Sequence, residues 1–205
     1  MRLAAVALLL PLAAAAAPAD DRALARDVFR ELIETDTSHS VGSTTAAAEA
    51  MKRRLLDAGF AKDDLVVLGP KDKRGNLVAR LRGSGRQKPV LIIGHLDVVE
   101  ARREDWTTDP FKFVEKDGWY YGRGTQDMKG SAAAAVMAMI RFKRERLVPE
   151  RDIILALTAD EEGGPDDGAE WLVKSHRELV DAEFALNIDS GGIDSDNGKP
   201  VNLEV

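Results

Sequence analysis

Cysteine is absent from the sequence, so disulfide bonds and thiolate metal sites are excluded. Any metal ion must therefore be held by nitrogen and oxygen ligands. Long runs of lysine or arginine are also absent: 29 basic residues stand against 35 acidic ones, for a formal net charge of -6. No segment is basic enough to bind along the phosphate backbone of a nucleic acid, so we expect no nucleic-acid partner.

Only one long apolar run occurs, from Leu3 to Ala17, and it lies at the N-terminus. Arg2 precedes it, and the small residues Ala17-Pro18-Ala19 close it. The run is shorter than the roughly 20 apolar residues that span a bilayer, so a stable membrane anchor is disfavoured. The pattern is typical of a secretory signal peptide covering residues 1–19. It predicts export to the periplasm or the extracellular space, with residues 20–205 as the mature chain.

Helices are predicted wherever apolar residues recur at a spacing of three and four. The predicted helices cover Asp21 to Glu34, Ser43 or Thr44 to Gly59, Met128 to Arg144, and Ala169 to Leu179. His39 lies in the polar loop between the first two. By default it is a solvated loop residue, and a substrate-facing role is the alternative.

Strands are predicted where short apolar runs are bounded by turn residues. They cover Asp64 to Leu68, Asn76 to Leu81, Pro89 to Ile93, Asp152 to Thr158 and Phe184 to Ile188, with a hairpin formed by residues 111–114 and 119–121. We expect the last three single strands to be buried, as inner strands of a sheet are. Strands and helices that alternate in this way predict an α/β fold, a sheet flanked by helices.

Each of the three predicted buried strands ends in potential metal ligands. His95 and Asp97 follow the first, Glu161 and Glu162 follow the second, and Asp189 follows the third. Ligands of α/β sheets bind outside the carboxyl ends of the strands, so these side chains meet at one rim if the strands are neighbours. On an extended chain the Asp97 carboxylate would turn towards the His95 ring and leave the other ring nitrogen free for a metal.

Asp127 comes directly before a predicted helix, where a carboxylate is commonly only a helix cap. Gly122 and Gly124 precede it and indicate a tight backbone approach that a cap does not require. Asp127 is therefore a candidate to join the rim. So many carboxylates would repel one another unless divalent cations neutralised them. One imidazole, several carboxylates and no sulfur suit zinc, with cobalt or manganese as substitutes.

This composition of the rim predicts hydrolytic chemistry. A metal pair about 3.5 to 4 Å apart acidifies a bridging water molecule and polarises a carbonyl group. The water still needs a base and the leaving amine still needs a proton. Glu161, which is next to a predicted ligand, is predicted to serve both purposes.

Several motifs together closely resemble the M20 family of zinc peptidases. They are Gly94-His95-Leu96-Asp97, Asp109-Pro110-Phe111, Tyr121-Gly122-Arg123-Gly124, Asp127-Met128-Lys129-Gly130 and Asp160-Glu161-Glu162. The family includes glutamate carboxypeptidases, aminoacylases, succinyl-diaminopimelate desuccinylases and acetylornithine deacetylases. The resemblance implies a three-layer, zinc-peptidase-like sheet flanked by helices. It also implies two zinc ions, and cleavage of a peptide or N-acyl amide bond adjacent to a free carboxylate.

The resemblance also implies roles for individual residues. The implied metal ligands are His95, Asp127, Glu162 and Asp189, with Asp127 bridging the two ions. Asp97 is the implied partner of His95, Glu161 is the implied general base, and the Asp127–Met128 peptide bond is expected to be cis. An aspartate at position 189 favours a peptidase or aminoacylase-like member over a desuccinylase or deacetylase.

Two parts of the family pattern have no counterpart in the sequence: a further histidine ligand downstream, and the lid and dimerisation domain that follows the region of Asp189. We therefore expect residues 20–205 to be the N-terminal part of an M20-type catalytic domain, and the complete protein to be a homodimer. His176 precedes Asp189 and cannot supply the later ligand. Two hypotheses follow: an exported metallohydrolase of small peptides or N-acyl amino acids, or a truncated, non-catalytic fragment that binds a metal or a partner.

Overall fold

The computed structural model describes residues 19–189, 192–196 and 199–204. Nearly all of the predicted signal peptide, residues 1–18, therefore lies outside the described residues. The helices are α1 (Ala19–Glu34), α2 (Thr44–Asp57), α3 (Lys129–Arg144), α4 (Gly168–Ser175) and α5 (Arg177–Val180). The strands are β1 (Leu65–Leu68), β2 (Asn76–Leu81), β3 (Gln87–His95), β4 (Val114–Lys116), β5 (Trp119–Tyr121), β6 (Arg151–Thr158), β7 (Phe184–Asn187), β8 (Gly192–Asp196) and β9 (Lys199–Glu204). None of the described helices is both long and apolar enough to cross a membrane.

A five-stranded sheet in the order β1-β2-β6-β3-β7 forms the centre of the fold. β3 runs parallel to both of its neighbours, with Ile92 opposite Leu155 of β6 on one side and Leu186 of β7 on the other. β2 and β1 continue the sheet in antiparallel pairing. Because β6, β3 and β7 point the same way, their carboxyl ends lie side by side, as the sequence predicted.

Helices cover the two faces of this sheet. On one face α1, α2 and α3 pack through a core that includes Leu32, Met51 and Val136. On the other face Leu172 of α4 and Val180 of α5 complete a smaller core. The predicted three-layer α/β arrangement is confirmed.

Local sequence signals account for several element boundaries. The Ser43 side chain accepts the backbone N–H of Ala46 at 3.2 Å and caps α2, and Gly59 follows the helix at φ +96°. The turn between β4 and β5 is formed by Asp117 and Gly118, at φ 54° and 81°. Two successive left-handed residues suit a two-residue hairpin turn, because their twist matches that of the strands. The first strand of this hairpin, β4, lies later in the chain than the predicted residues 111–114.

Two predictions about the C-terminal half are wrong. β7 is not buried, since Phe184 and Leu186 are 58% and 56% exposed; it forms an edge of the sheet within the described part of the chain. The single helix predicted for residues 169–179 is two helices, because the backbone leaves the helical conformation at His176, with φ −144°. The ring of His176 packs against that of Trp171, at a centroid distance of 4.7 Å.

The difference in burial between two leucines of the sheet predicts a difference in how much each contributes to stability. We expect Leu155→Ala, in the fully buried part of β6, to lower the free energy of unfolding by about 2–5 kcal/mol, because it leaves a cavity. The matched substitution Leu186→Ala on β7 should change it by about 0.5 kcal/mol or less, because that side chain is mostly exposed. Urea unfolding followed by circular dichroism measures both. Equal losses would contradict the assignment of the core.

Candidate metal centre

The ends of the parallel strands bring His95 and Asp189 to the same level of the sheet. His95 is the last residue of β3 and lies opposite Thr158 of β6. On the other side, the backbone N–H of Ile188 donates to the carbonyl of Ile93 at 3.0 Å, which continues the β7 pairing by one residue. Asp189 follows directly and reaches the imidazole. The predicted convergence of strand ends therefore occurs.

The His95 ring is buried and oriented by Asp97. Nδ1 lies 3.0 Å from the backbone carbonyl oxygen of Asp97 and 3.6 Å from its carboxylate oxygen Oδ1. A carbonyl oxygen can only accept, so Nδ1 carries a proton and donates it. The main-chain carbonyl, and not the carboxylate that the sequence indicated, is thus the nearest partner of the ring. This contact fixes the ring orientation and directs Nε2 towards the acidic residues.

Three side chains form a cluster suited to a metal ion. His95 Nε2 lies 3.1 Å from Asp127 Oδ1 and 3.5 Å from Asp189 Oδ1. The three ligand atoms all lie within 4.8 Å of one another. Glu161 Oε2 is 3.7 Å from the same ring nitrogen, but among the described residues neither Glu161 nor Glu162 belongs to this cluster. The donor set of one imidazole and two carboxylates fits zinc.

The negative charges around the His95 ring also favour the binding of a cation. Burial disfavours the positive form of His95, but the hydrogen bonding and charge of Asp97 and the charge of Asp189 outweigh it and raise the pKa of His95 to about 9. The surrounding carboxylates therefore favour positive charge at this position. A divalent ion held by the same atoms meets that requirement more fully than a proton does.

Asp127 faces the cluster and does not cap α3. The residue at the N-cap position is Met128, and no side-chain hydrogen bond caps the helix. The Asp127 carboxylate is 64% exposed and directed towards His95. The alternative interpretation of Asp127 as a simple helix cap is therefore wrong. The Asp127–Met128 peptide bond is cis, as the resemblance implied.

The Asp97 carboxylate holds the loop that carries both glutamates. Its Oδ1 accepts the backbone N–H of Glu161 at 3.2 Å, and its Oδ2 accepts that of Glu162 at 3.0 Å. Burial would raise the pKa of Asp97, but the nearby His95 and these two N–H groups keep it below its usual value. An ionised Asp97 thus joins the end of β3 to the loop after β6.

Both glutamates in that loop are weaker acids than usual. The pKa of Glu161 is raised by burial and by the nearby charges of Asp189 and Asp97, although His95 opposes the shift. The pKa of Glu162 is raised by burial and then by Asp127. Mutual repulsion of this kind is expected where carboxylates gather for a cation.

The sequence did not indicate that Asp160 and Arg74 lie together behind the loop of the two glutamates. Asp160, the first of three consecutive acids, is buried, and its Oδ1 lies 3.0 Å from Nε of Arg74. His39 Nδ1 is 3.4 Å from the same oxygen, so this histidine contacts the base of the glutamate loop instead of being only solvated. In the sequence, Asp160 belongs to a recognisable run of three acids, whereas nothing in the residues around Arg74 indicates a role for it.

Lys129 is a further charged residue whose role the sequence did not indicate. It is fully buried at the start of α3, and its Nζ donates to the carbonyl of Thr35 at 2.8 Å. Burial lowers the pKa of Lys129 to about 7, although the charges of Asp36 and Asp97 oppose the shift. The lysine joins the end of α1 to the helix that follows Asp127.

Comparison with known proteins gives consistent matches. The sequence profile of peptidase family M20/M25/M40 matches residues 91–204. The succinyl-diaminopimelate desuccinylase of Delftia acidovorans is 41% identical over 156 residues, covering 73% of this chain and 40% of that protein. A probable succinyl-diaminopimelate desuccinylase of Staphylococcus aureus is 41% identical over 130 residues, covering 62% and 31%. The chain thus spans two fifths or less of the length of these relatives.

Solved structures share the fold. An M20 family metallo-carboxypeptidase from Sulfolobus solfataricus aligns with a TM-score of 0.66 at 18% identity, covering 82% of this chain and 37% of that one. Human carnosine dipeptidase 1 aligns at 0.59 and 22% identity, covering 86% and 42%. A dinuclear metal-binding M20 peptidase from Bacillus subtilis aligns at 0.58 and 15% identity, covering 83% and 43%. At these identities the likeness establishes the fold.

Proposed function

The chain belongs to peptidase family M20/M25/M40, and we propose on that basis that the protein is a metal-dependent hydrolase of a peptide or N-acyl amide bond. The observation that carries this proposal is the cluster of His95 and Asp189, at the ends of parallel strands, with Asp127, which leads into α3; Glu161 lies beside it. A metal site with an adjacent unbound carboxylate is the arrangement that metal-assisted hydrolysis needs.

We propose that the resident metal is zinc, with two ions in a complete site. His95, Asp127 and Asp189 supply the ligands of the first ion, and Glu162 joins Asp127 for the second. Support comes from the nitrogen and oxygen donors and from the raised pKa of Glu162. When bound, the ions supply the Lewis acidity that acidifies water and polarises the scissile carbonyl group.

Glu161 is proposed as the general base and acid. Its carboxylate takes a proton from the attacking water as the new carbon–oxygen bond forms, and it gives that proton to the nitrogen as the carbon–nitrogen bond breaks. Its raised pKa makes both transfers easier near neutral pH than an ordinary glutamate allows. Asp97 keeps this residue in place through the backbone N–H of Glu161.

The proposed substrates are small peptides or N-acyl amino acids with a free carboxylate next to the scissile bond. The two curated relatives are named desuccinylases, and the three solved structures are named as peptidases. Asp189 favours a peptidase or aminoacylase-like substrate over an N-succinyl one. A panel of dipeptides, N-acetyl amino acids and N-succinyl amino acids tests this order, each compared with its C-terminal amide. Equal cleavage of acids and amides would contradict the carboxylate requirement.

A second candidate function is metal binding without turnover. The observation that favours it is that the cluster found among the described residues contains ligands for one ion. Such a chain would bind zinc but would not cleave the panel of substrates.

Zinc content separates the two candidates. For a complete hydrolase we expect two zinc ions per chain, because Asp127 and Glu162 hold the second ion. Elemental analysis after equilibration with zinc and gel filtration measures the ratio. One ion per chain with no cleavage of any substrate in the panel would favour the second candidate for this chain. Two ions with cleavage would exclude it.

Export and dimerisation are further parts of the proposal. The apolar run from Leu3 to Ala17 supports export to the periplasm or beyond, with Asp20 as the mature N-terminus. N-terminal sequencing of protein from fractionated cells tests this, and an intact Met1 in the cytoplasm would contradict it. The proposal that the complete protein is a homodimer rests on the family resemblance, and analytical ultracentrifugation tests it.

A further inference from the structure

A buried ion pair lies directly behind the loop that carries the two glutamates. Asp160 follows the last residues of β6, and its backbone has a φ of +57°. Aspartate adopts this left-handed conformation more readily than most residues other than glycine. The contacts of its buried carboxylate then fix the turn that directs the chain from Asp160 into Glu161 and Glu162.

Arg74 provides those contacts. Its Nε lies 3.0 Å from Asp160 Oδ1, while Nη1 donates to the carbonyl of Gly42 at 3.3 Å and Nη2 donates to the carbonyl of His39. Both members of the ion pair are buried. A planar guanidinium can bond in several fixed directions at once, which an ammonium group cannot do. Arg74 thus joins the loop of His39 and Gly42 to the end of β6.

The position of Asp160 determines where the next two backbone N–H groups point. These groups, from Glu161 and Glu162, donate to the two carboxylate oxygens of Asp97 at 3.2 and 3.0 Å. The carbonyl of Asp97 in turn accepts from Nδ1 of His95 at 3.0 Å. A continuous series of contacts therefore runs from a residue outside the metal cluster to both glutamates and the imidazole.

We propose that Arg74 is a positioning residue of the metal centre: through Asp160 it sets the loop that presents Glu161 and Glu162. The consequence for metal binding rests on the proposed function, whereas the consequence for the loop does not. Arg74 contacts no member of the metal cluster, so its effect passes through the backbone of the loop.

Backbone amide hydrogen exchange in the full chain, followed by NMR, tests the loop directly. In Arg74→Lys we expect exchange at the amides of Glu161 and Glu162 to be about tenfold faster or more, because their hydrogen bonds to Asp97 open more often. Exchange at the amide of Leu155 in the core of β6 should stay as in the wild type. If Arg74→Lys fails to fold, Asp160→Asn, which keeps the shape of the side chain, should give the same pattern.

The matched control is Arg80→Lys, on β2, where the arginine pairs with Asp152 near the start of β6. Arg80 is similarly enclosed, and it donates to Asp152 at 3.1 Å and to the carbonyl of Leu179 at 3.2 Å. It should leave exchange at Glu161 and Glu162 unchanged, even if it lowers the free energy of unfolding as much as Arg74→Lys does. Acceleration at these amides in the control as well would show a general loss of stability and would overturn the proposal.

Zinc titration of the same proteins gives the second readout. We expect Arg74→Lys to weaken zinc binding by about 10-fold or more, in the range found when a residue supporting metal ligands is removed, and Arg80→Lys to leave it unchanged. A wild-type chain that binds no zinc would contradict the proposed function alone. Wild-type exchange at both glutamate amides in folded Arg74→Lys or Asp160→Asn would overturn the positioning role alone.

Discussion

Replacing Glu161 with glutamine is expected to lower kcat by about 10²- to 10⁴-fold, the usual contribution of a general base. The amide keeps the size of the side chain but cannot accept a proton from water. Because Glu161 does not belong to the cluster of His95, Asp127 and Asp189, zinc content should remain that of the wild type. Steady-state kinetics on the best substrate of the panel, with elemental analysis of the same sample, measures both quantities.

Glu170→Gln is the control for this experiment. Glu170 lies on α4, exposed, with its carboxylate paired to Lys174, so the substitution makes the same chemical change away from the metal centre. Its kcat should equal that of the wild type. If Glu161→Gln retained its zinc and most of its kcat, another residue would have to be the base.

Asp127→Asn is expected to produce the largest loss of metal. One carboxylate oxygen of Asp127 lies 3.1 Å from His95 Nε2, and in the proposed site Asp127 would help to hold both ions. An amide is neutral and a weaker ligand than a carboxylate. We therefore expect the affinity for both ions to fall by about 100-fold or more, which equals or exceeds the largest loss seen when a residue that only supports a ligand is removed. Turnover should fall in parallel at limiting zinc, and competition with a chromogenic chelator measures the affinities.

The matched substitution is Asp105→Asn, at an exposed aspartate in a 3₁₀ turn. It removes the same charge from the chain and should leave zinc affinity unchanged. Loss of only one ion in Asp127→Asn would show that the carboxylate does not bridge. Full retention of both ions would remove Asp127 from the site.

The rim of the sheet was predictable because its signals are local. An apolar run such as Pro89 to Ile93 predicts a buried strand, and the polar residue that ends it, His95, necessarily emerges at the rim. The same logic placed Asp189. That prediction assumed that the three strands are neighbours. The parallel pairing of β3 with β6 and β7 confirms the assumption.

The parts that were not predictable depend on pairs that are distant in the sequence. Nothing around Arg74 indicates that Asp160 will neutralise it, since the ion pair exists only after β6 has joined the sheet beside β2. The partner of the His95 ring is a backbone carbonyl, which no side-chain pattern can reveal. The exposure of Phe184 likewise depends on which elements lie beside β7, whereas its apolar sequence suggested burial.

Among the described strands β7 is the outermost on its side of the sheet, and this position separates one proposed ligand from the others. Asp189 follows a strand held to β3 by four residue pairs, whereas His95 ends the interior strand β3 and Asp127 leads into α3. Edge strands open locally at a lower free-energy cost than the core does. In the proposed metal site, release of an ion would therefore begin with fraying of β7, before the core of the sheet opens. By the same linkage, an ion held by all three proposed ligands would stabilise the pairing of β7 with β3, so metal binding and local opening of β7 would be thermodynamically coupled.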